Sequence, residues 1–233
     1  MREVIFDTET TGLDPKTGDR MVEIGCVEMV GRVETGNSYH AYFNPERDMP
    51  AAAEAVHGLS SAFLSGKPLF ADTAGDLLEF LGDAPLVAHN AGFDFGFLNS
   101  ELELIGREPI SMDRMVDTVA IARKKHPGAK LSLDALCSRY GIDRSHRVKH
   151  GALLDAELLA QVYVELTGGR QIGLELASEA SASERELIDA ADRTIVDAAP
   201  RTRREPRLYG ASQEELTRHR DFVAGIKDAI WSR

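Results

Sequence analysis

Cysteine is scarce in this chain, with two in 233 residues, Cys26 and Cys137. Both lie inside apolar-patterned segments without metal-ligand spacing. That excludes a disulfide framework and a thiolate metal site, and both thiols are expected to be reduced and buried. Long hydrophobic runs are missing too. No stretch approaches the ~18 apolar residues of a membrane span, and the opening MREVIFD lacks a signal-peptide pattern. The expectation is a cytoplasmic protein with no membrane partner. Positive charge is also short. Lys and Arg number 27 against 38 Asp and Glu, a net charge of −11. This sits poorly with a body that grips a long nucleic acid through its own surface, because phosphate binding draws on Lys and Arg. The deficit is uneven, since basic residues outnumber acidic ones over 200–233. What the chain does have is 43% hydrophobic residues, enough for a sizeable core.

Residues 3–8 read as a strand whose Val4, Ile5 and Phe6 are covered on both faces. Strands near 21–30 and 37–43, joined through Gly31 or Gly36, complete an antiparallel meander. Helical signals follow at 50–56, stopped by Gly58, and at 70–81, where residues 70, 74, 77, 78 and 81 keep a helical period. PLVAH (85–89) is a short buried strand. The helix near 92–105 is expected to turn Phe93, Phe97, Leu98, Leu102 and Ile105 inward. A strand near 112–117 leads to a helix ended by Pro127, Ser132 caps a helix through Tyr140, and a last long helix covers 152–166. Its apolar stripe is Leu154, Leu158, Gln161, Val162 and Tyr163. Strands first and alternating helices and strands after predict an α/β fold, a mixed sheet flanked by helices. After Gly169 the texture turns Ser/Ala/Glu-rich and then Pro/Arg-rich. Residues 1–169 therefore read as the body, 170–210 as linker, and 211–233 as a terminal segment with a helix from Ser212, where Ser212 and Glu215 have capping-box spacing.

The stretch FDTETTG ends the first strand with Asp7 and Glu9. Residues i and i+2 of a strand point to one face, so the two carboxylates stand side by side and repel unless a cation lies between them. Alone, the pair reads as a strand end with two exposed acids. Asp94, in HNAGFD, follows the strand PLVAH; alone it reads as a helix-start acid favoured by the macrodipole. Strand ends and the loops after them converge on one crevice in open α/β sheets, which would bring Asp94 to Asp7 and Glu9. HGALLD adds His150 and Asp155. These meet if His150 lies on the approach loop and Asp155 within the helix, beside a buried face. Four acids and one histidine fit phosphodiester cleavage, in which two Mg²⁺ or Mn²⁺ ions ~3.5–4 Å apart clamp the attacking and leaving oxygens. Hard ions take carboxylate oxygens, and histidine can accept the proton of the attacking water.

FDTETTG, VHG (56–58), HNAGFDFGF (89–97), SLDALCSRYGID (132–143) and HGALLDA (150–156) together resemble the DnaQ-like exonucleases with an Asp-Glu-Asp-Asp-His signature, on a ribonuclease-H-like fold. Within that family they look most like the proofreading epsilon subunits of bacterial DNA polymerase III. The resemblance covers roughly residues 2–169. It implies that Asp7 bridges both metals, that Glu9 and Asp155 complete the site of the ion binding the nucleophilic water, that Asp94 holds the second ion, and that His150 is the general base. Asp7, Glu9 and Asp155 also belong to its substrate-binding set. His57 and Asn90 fall where the family contacts the terminal nucleotide or phosphate; each has a plainer reading, as a helix C-terminal residue and a loop hydrogen-bonder. The chain departs from the pattern at Ala52, where epsilon subunits often carry Glu, with Glu54 nearby.

In the tail, QIGLEL (171–176), with Gln171, Leu174 and Leu176, resembles the sliding-clamp-binding peptides of bacterial replication proteins. As a polar-apolar hexamer it also reads as trailing residues packed on the body. Leu216, Val223, Ile226 and Ile230, then Trp231, form a stripe suited to a partner surface; the resemblance makes that partner the polymerase III alpha subunit. The expected function is 3′→5′ removal of mispaired nucleotides from a single-stranded or frayed 3′ DNA end. The alternatives are a free RNA-trimming or repair exonuclease and an inactive scaffold joining polymerase to clamp.

Overall fold

A computed structural model describes residues 1–145, 147, 149–169 and 210–226. The chain separates into two compact units, Met1–Leu174 and Glu175–Arg233. The first is built on a five-stranded sheet in the order β3-β2-β1-β4-β5, formed by β1 (Arg2–Thr10), β2 (Met21–Val30), β3 (Val33–Tyr42), β4 (Leu86–Ala88) and β5 (Met115–Asp117). β1, β2 and β3 pair antiparallel, whereas β4 pairs parallel with both β1 and β5. The helices are α1 (Ala51–His57), α2 (Ser61–Leu64), α3 (Phe70–Leu81), α4 (Gly92–Leu104), α5 (Thr118–Lys125), α6 (Leu133–Tyr140) and α7 (Ala152–Leu166).

The strand period sorts β1 onto two cores. Val4 and Phe6 join α3 and α4 on one face, with Phe6 edge-on to Phe95 at 5.7 Å between centroids. Ile5 joins Val27, Met29 and Val87 under Ala156, Leu159 and Ala160 of α7 on the other. Helix ends follow local chemistry. Ser132 Oγ accepts from the Ala135 N–H at 3.3 Å, and Gly141 closes α6 at φ 68°, a conformation that costs glycine little. Cys26 and Cys137 are both buried and unpaired, as expected.

Several expectations change. β3 begins at Val33, four residues earlier than the sequence suggests, because the chain reverses at Gly31 and Arg32, both at positive φ. Gly36 lies within the strand instead of at the turn. Helix α2 was not foreseen; it is one short turn capped by Ser60. In α4, Phe95 is in the core in place of Phe93, which is only half-buried. The aromatics of FDFGF recur every second residue, so the sequence alone does not say which of them follows the Leu98 and Leu102 stripe. Gln161 is exposed while Leu159, Ala160 and Val164 are buried, so α7 is wrapped on more sides than one stripe implies.

Within the second unit the structure describes one helix, α8 (Gln213–Ala224), opened by the expected capping box. Ser212 Oγ accepts from the Glu215 N–H, and the Glu215 carboxylate accepts from the Ser212 N–H. Leu216, Phe222 and Ile226 are exposed. QIGLEL, most of the linker, Ile230 and Trp231 lie outside the described residues.

Candidate active site

The sheet delivers the five candidate residues to one cleft. Asp7 and Glu9 come from the end of β1, Asp94 from the first turn of α4, His150 from the loop before α7 and Asp155 from the first turn of that helix. Glu9, Asp94 and Asp155 are buried. Glu9, His150 and Asp155 can each offer a ligand atom within 4.8 Å of the others. Glu9 Oε1 and Asp155 Oδ1 are buried without a hydrogen-bond partner.

Such crowding shows in the protonation equilibria. Burial, then the charges of Asp94, Glu9 and Asp155, hold the Asp7 carboxyl well above the usual range, against an opposing pull from Arg147. Burial followed by Glu23 and Asp155 pushes Glu9 up to about 8. Asp94 rises to about 7 through burial, although the Thr8 hydroxyl donates to it at 2.7 Å and favours the ionised form. Each of these acids gains from a cation placed among them. The donor set is carboxylate oxygen and imidazole nitrogen, which suits a hard divalent ion. The orphaned oxygens of Glu9 and Asp155 are where such an ion would find ligands.

Two side chains absent from the sequence reading complete the cleft. Arg147 bridges Asp134, through Nη1 at 2.7 Å, and Asp155, through Nη2 at 2.6 Å. Its Nη2 also lies 2.7 Å from His150 Nδ1. A guanidinium only donates, so Nδ1 is the acceptor. Arg147 carries no local signal, because it acts across the fold.

Gly25 was missed for the same reason. It pairs with Asp7 across β1 and β2, and a Cβ there would lie 2.2 Å from the Leu153 backbone nitrogen. The main chain at the start of α7 thus rests directly on the strand beside Asp7. Gly25→Ala is expected to push that helix start, and Asp155 with it, away from Asp7. Overpacking typically costs about 1–3 kcal/mol, so a lower Tm together with weaker Mn²⁺ binding by calorimetry is the expected result; unchanged values for both would show that the contact yields freely.

His57 and Asn90 also reach this region. His57 is buried, its Nδ1 accepts from the Leu59 N–H at 3.0 Å, and Nε2 has no hydrogen-bond partner of good geometry. Burial lowers its pKa, against an opposing contact with the Thr10 backbone. It lines a groove next to the acidic cleft, together with Ala52, Val56 and Phe93. Phe93 lines both. Asn90 holds φ 63°, a left-handed conformation that Asn tolerates, and its N–H donates to Asp117 Oδ1 at 3.1 Å. It lines the cleft with Asp7 and Asp94.

Comparison with known proteins agrees with this geometry. The exonuclease family model RNase_T matches residues 4–163. The DNA polymerase III subunit epsilon of Rickettsia felis is 46% identical over 229 residues, covering 97% of each chain. That of Salmonella typhimurium is 43% identical over 225 residues, covering 94% of this chain and 90% of its own. Among solved structures, the nuclease domain of 3′hExo, a DEDDh family member bound to rAMP, superposes with TM-score 0.62 at 17% identity, covering 71% of this chain and 91% of its own; that likeness speaks to the ribonuclease-H-like fold. The family depends on divalent metal. The chain belongs to the DnaQ-like exonuclease family, as a proofreading 3′→5′ exonuclease of the epsilon type.

Proposed function

We propose that the chain removes mispaired 3′-terminal nucleotides from DNA as the proofreading subunit of a polymerase III, working in the cytoplasm. The observation that carries the site assignment is the convergence of Asp7, Glu9, Asp94, His150 and Asp155 on one cleft. Asp7, Glu9, Asp94 and Asp155 would hold two divalent ions, Mg²⁺ or Mn²⁺. Once bound, such ions supply Lewis acidity at the phosphate and make bound water more acidic. His150 takes the proton of the attacking water. Its side chain is 48% exposed, against 3% for Asp155, so it can face solvent while the carboxylate stays fixed. His57 and Asn90 position the terminal nucleotide, with the apolar wall of Val56 and Phe93 beside its base. Ala52 offers no polar contact of its own to that nucleotide.

The chain's acidity suits this role. A nuclease held on a polymerase has no need to grip a long duplex, because its partner does so. We assign residues 1–169 to catalysis, 170–210 to linkage and 211–233 to docking on the alpha subunit, with Gln171, Leu174 and Leu176 contacting the sliding clamp (the beta subunit). The exposed apolar side chains of α8 support the docking role. A flexible link raises local concentration into the millimolar range for short linkers, so weak contacts suffice.

The test compares 3′-labelled DNA, mispaired and paired, with single-stranded RNA. Alongside it, pull-downs use the full chain and a chain lacking 207–233. Faster release from the mispaired DNA end is expected, and alpha-subunit capture is expected only with the full chain. Preference for RNA would favour a trimming enzyme, and no turnover a scaffold. Full capture after truncation would place the docking contacts within residues 1–206.

A further inference from the structure

Arg147 is mostly buried, with 9% of its side chain exposed. It lies on the two groups that a metal-loaded cleft would need to free. Its Nη2 donates to Asp155 Oδ2 at 2.6 Å and to His150 Nδ1 at 2.7 Å. Its Nε is 2.6 Å from Asp155 Oδ1, yet neither of those atoms has a hydrogen bond of good geometry. The contact is therefore charge against charge, without the aligned fork that makes Arg–carboxylate pairs strong. A carboxylate as buried as Asp155 needs a positive partner. Asp155 is also one of the residues, with Glu9 and His150, whose ligand atoms cluster within 4.8 Å. A guanidinium and a metal ion cannot both occupy the same carboxylate oxygens.

The arginine has somewhere else to stay. Its Nη1 donates at 2.7 Å to Asp134, whose side chain is 51% exposed and which also pairs with Arg144 at 2.8 Å. Arg147 and His150 share the loop between α6 and α7.

We propose that Arg147 is an internal counter-ion of the metal-free cleft, so that binding of a divalent ion and release of Arg147 from Asp155 and His150 are one equilibrium, with Asp134 retaining the displaced guanidinium. Without a metal, the arginine neutralises Asp155 and occupies a histidine lone pair, and the cleft stays folded but closed to chemistry. With a metal, both groups are freed together. This rests on the metal-site reading above.

The test is Mn²⁺ binding to the full chain without DNA, followed by electron paramagnetic resonance, with Tm measured in EDTA and in Mn²⁺. Apparent affinity scales with the population of the competent state, so Arg147→Gln is expected to bind Mn²⁺ about tenfold more tightly than wild type. Its Tm should fall in EDTA and recover in Mn²⁺, whereas a merely structural arginine would lower both alike. Arg147→Lys, which keeps a charge, is expected to stay nearer wild type. Should the Gln variant fail to fold in EDTA, the wild-type Arg147 Nε–H, identified by its loss in the Lys variant, is followed by nitrogen-15 NMR. Its exchange with water should accelerate when Mg²⁺ saturates the site. Mn²⁺ affinity unmoved or weakened by Arg147→Gln, or an Nε–H still protected in Mg²⁺, overturns the proposal. A wild-type chain that binds no Mn²⁺ overturns the metal site beneath it as well.

Discussion

Asp7→Asn is expected to abolish 3′→5′ cleavage in Mg²⁺ and, in EDTA, to raise the Tm. The same feature produces both effects. Asp7 stands among Asp94, Glu9 and Asp155 in a buried setting that opposes its charge. Removing that charge deletes a shared metal ligand and relieves the repulsion. In a domain of this size 1 kcal/mol moves the Tm by about 2–4 °C, and the gain in EDTA should be at least of that order. The pH dependence follows from the same acids. Burial and crowding hold the Asp7, Glu9 and Asp94 carboxyls above their ordinary range, near 8 for Glu9 and near 7 for Asp94. The folded chain thus holds protons that the unfolded chain, with carboxyl pKa values near ~4, has released. Their contribution to stability is complete below about pH 4 and lost as the pH rises through about 7 to 8. Metal-free wild type should therefore melt at a lower temperature at pH 8.5 than at pH 6, with Mg²⁺ reversing the loss and Asp7→Asn flattening it. Scanning calorimetry in EDTA and in Mg²⁺ reads all three. An Asn variant that degrades single-stranded DNA at near wild-type rate would remove Asp7 from the site.

Replacing His150 by Gln should lower the hydrolysis rate by about 10²–10⁴-fold, the usual contribution of a general base, and change Mn²⁺ affinity far less. Glutamine can still donate and accept hydrogen bonds, but it cannot carry a proton away. The half-exposed position of the ring supports this division of labour, since Asp155 beside it is buried and fixed by helix α7. Single-turnover hydrolysis of a 3′-labelled oligonucleotide, measured at saturating metal, isolates the chemical step. A Gln variant with most of its activity intact would assign proton removal elsewhere in the cleft.

Much of this arrangement was legible before the structure, for definite reasons. β2 at Met21–Val30, α3 at Phe70–Leu81, α6 at Leu133–Tyr140 and α7 at Ala152–Leu166 have the bounds that their periodicity, caps and glycines indicate. Asp7, Glu9, Asp94, His150 and Asp155 stand in short ordered motifs, so their convergence could be anticipated. The features that escaped depend on distant partners. Arg147 looks like one more cation in SHRVKH until Asp134 and Asp155 are brought to it. Phe95, not Phe93, reaches the core, where it meets Phe6 of the strand beneath edge-on. Thr8, one residue from two conspicuous acids, shows its value only where its hydroxyl reaches Asp94.

The main-chain contact at Gly25 sets a limit on how this cleft can change over time. Because the start of α7 meets β2 at Gly25 with no side chain between, the gap from Asp7 to Asp155 is gauged at that point by two backbones. A lineage adapting to a larger or smaller ion has Glu9, Asp94 and the loop that carries His150 to alter, with the spacing at Gly25 left as inherited. Position 25 is thus an inconspicuous place in the sequence with little freedom to drift, even though it takes no part in the chemistry.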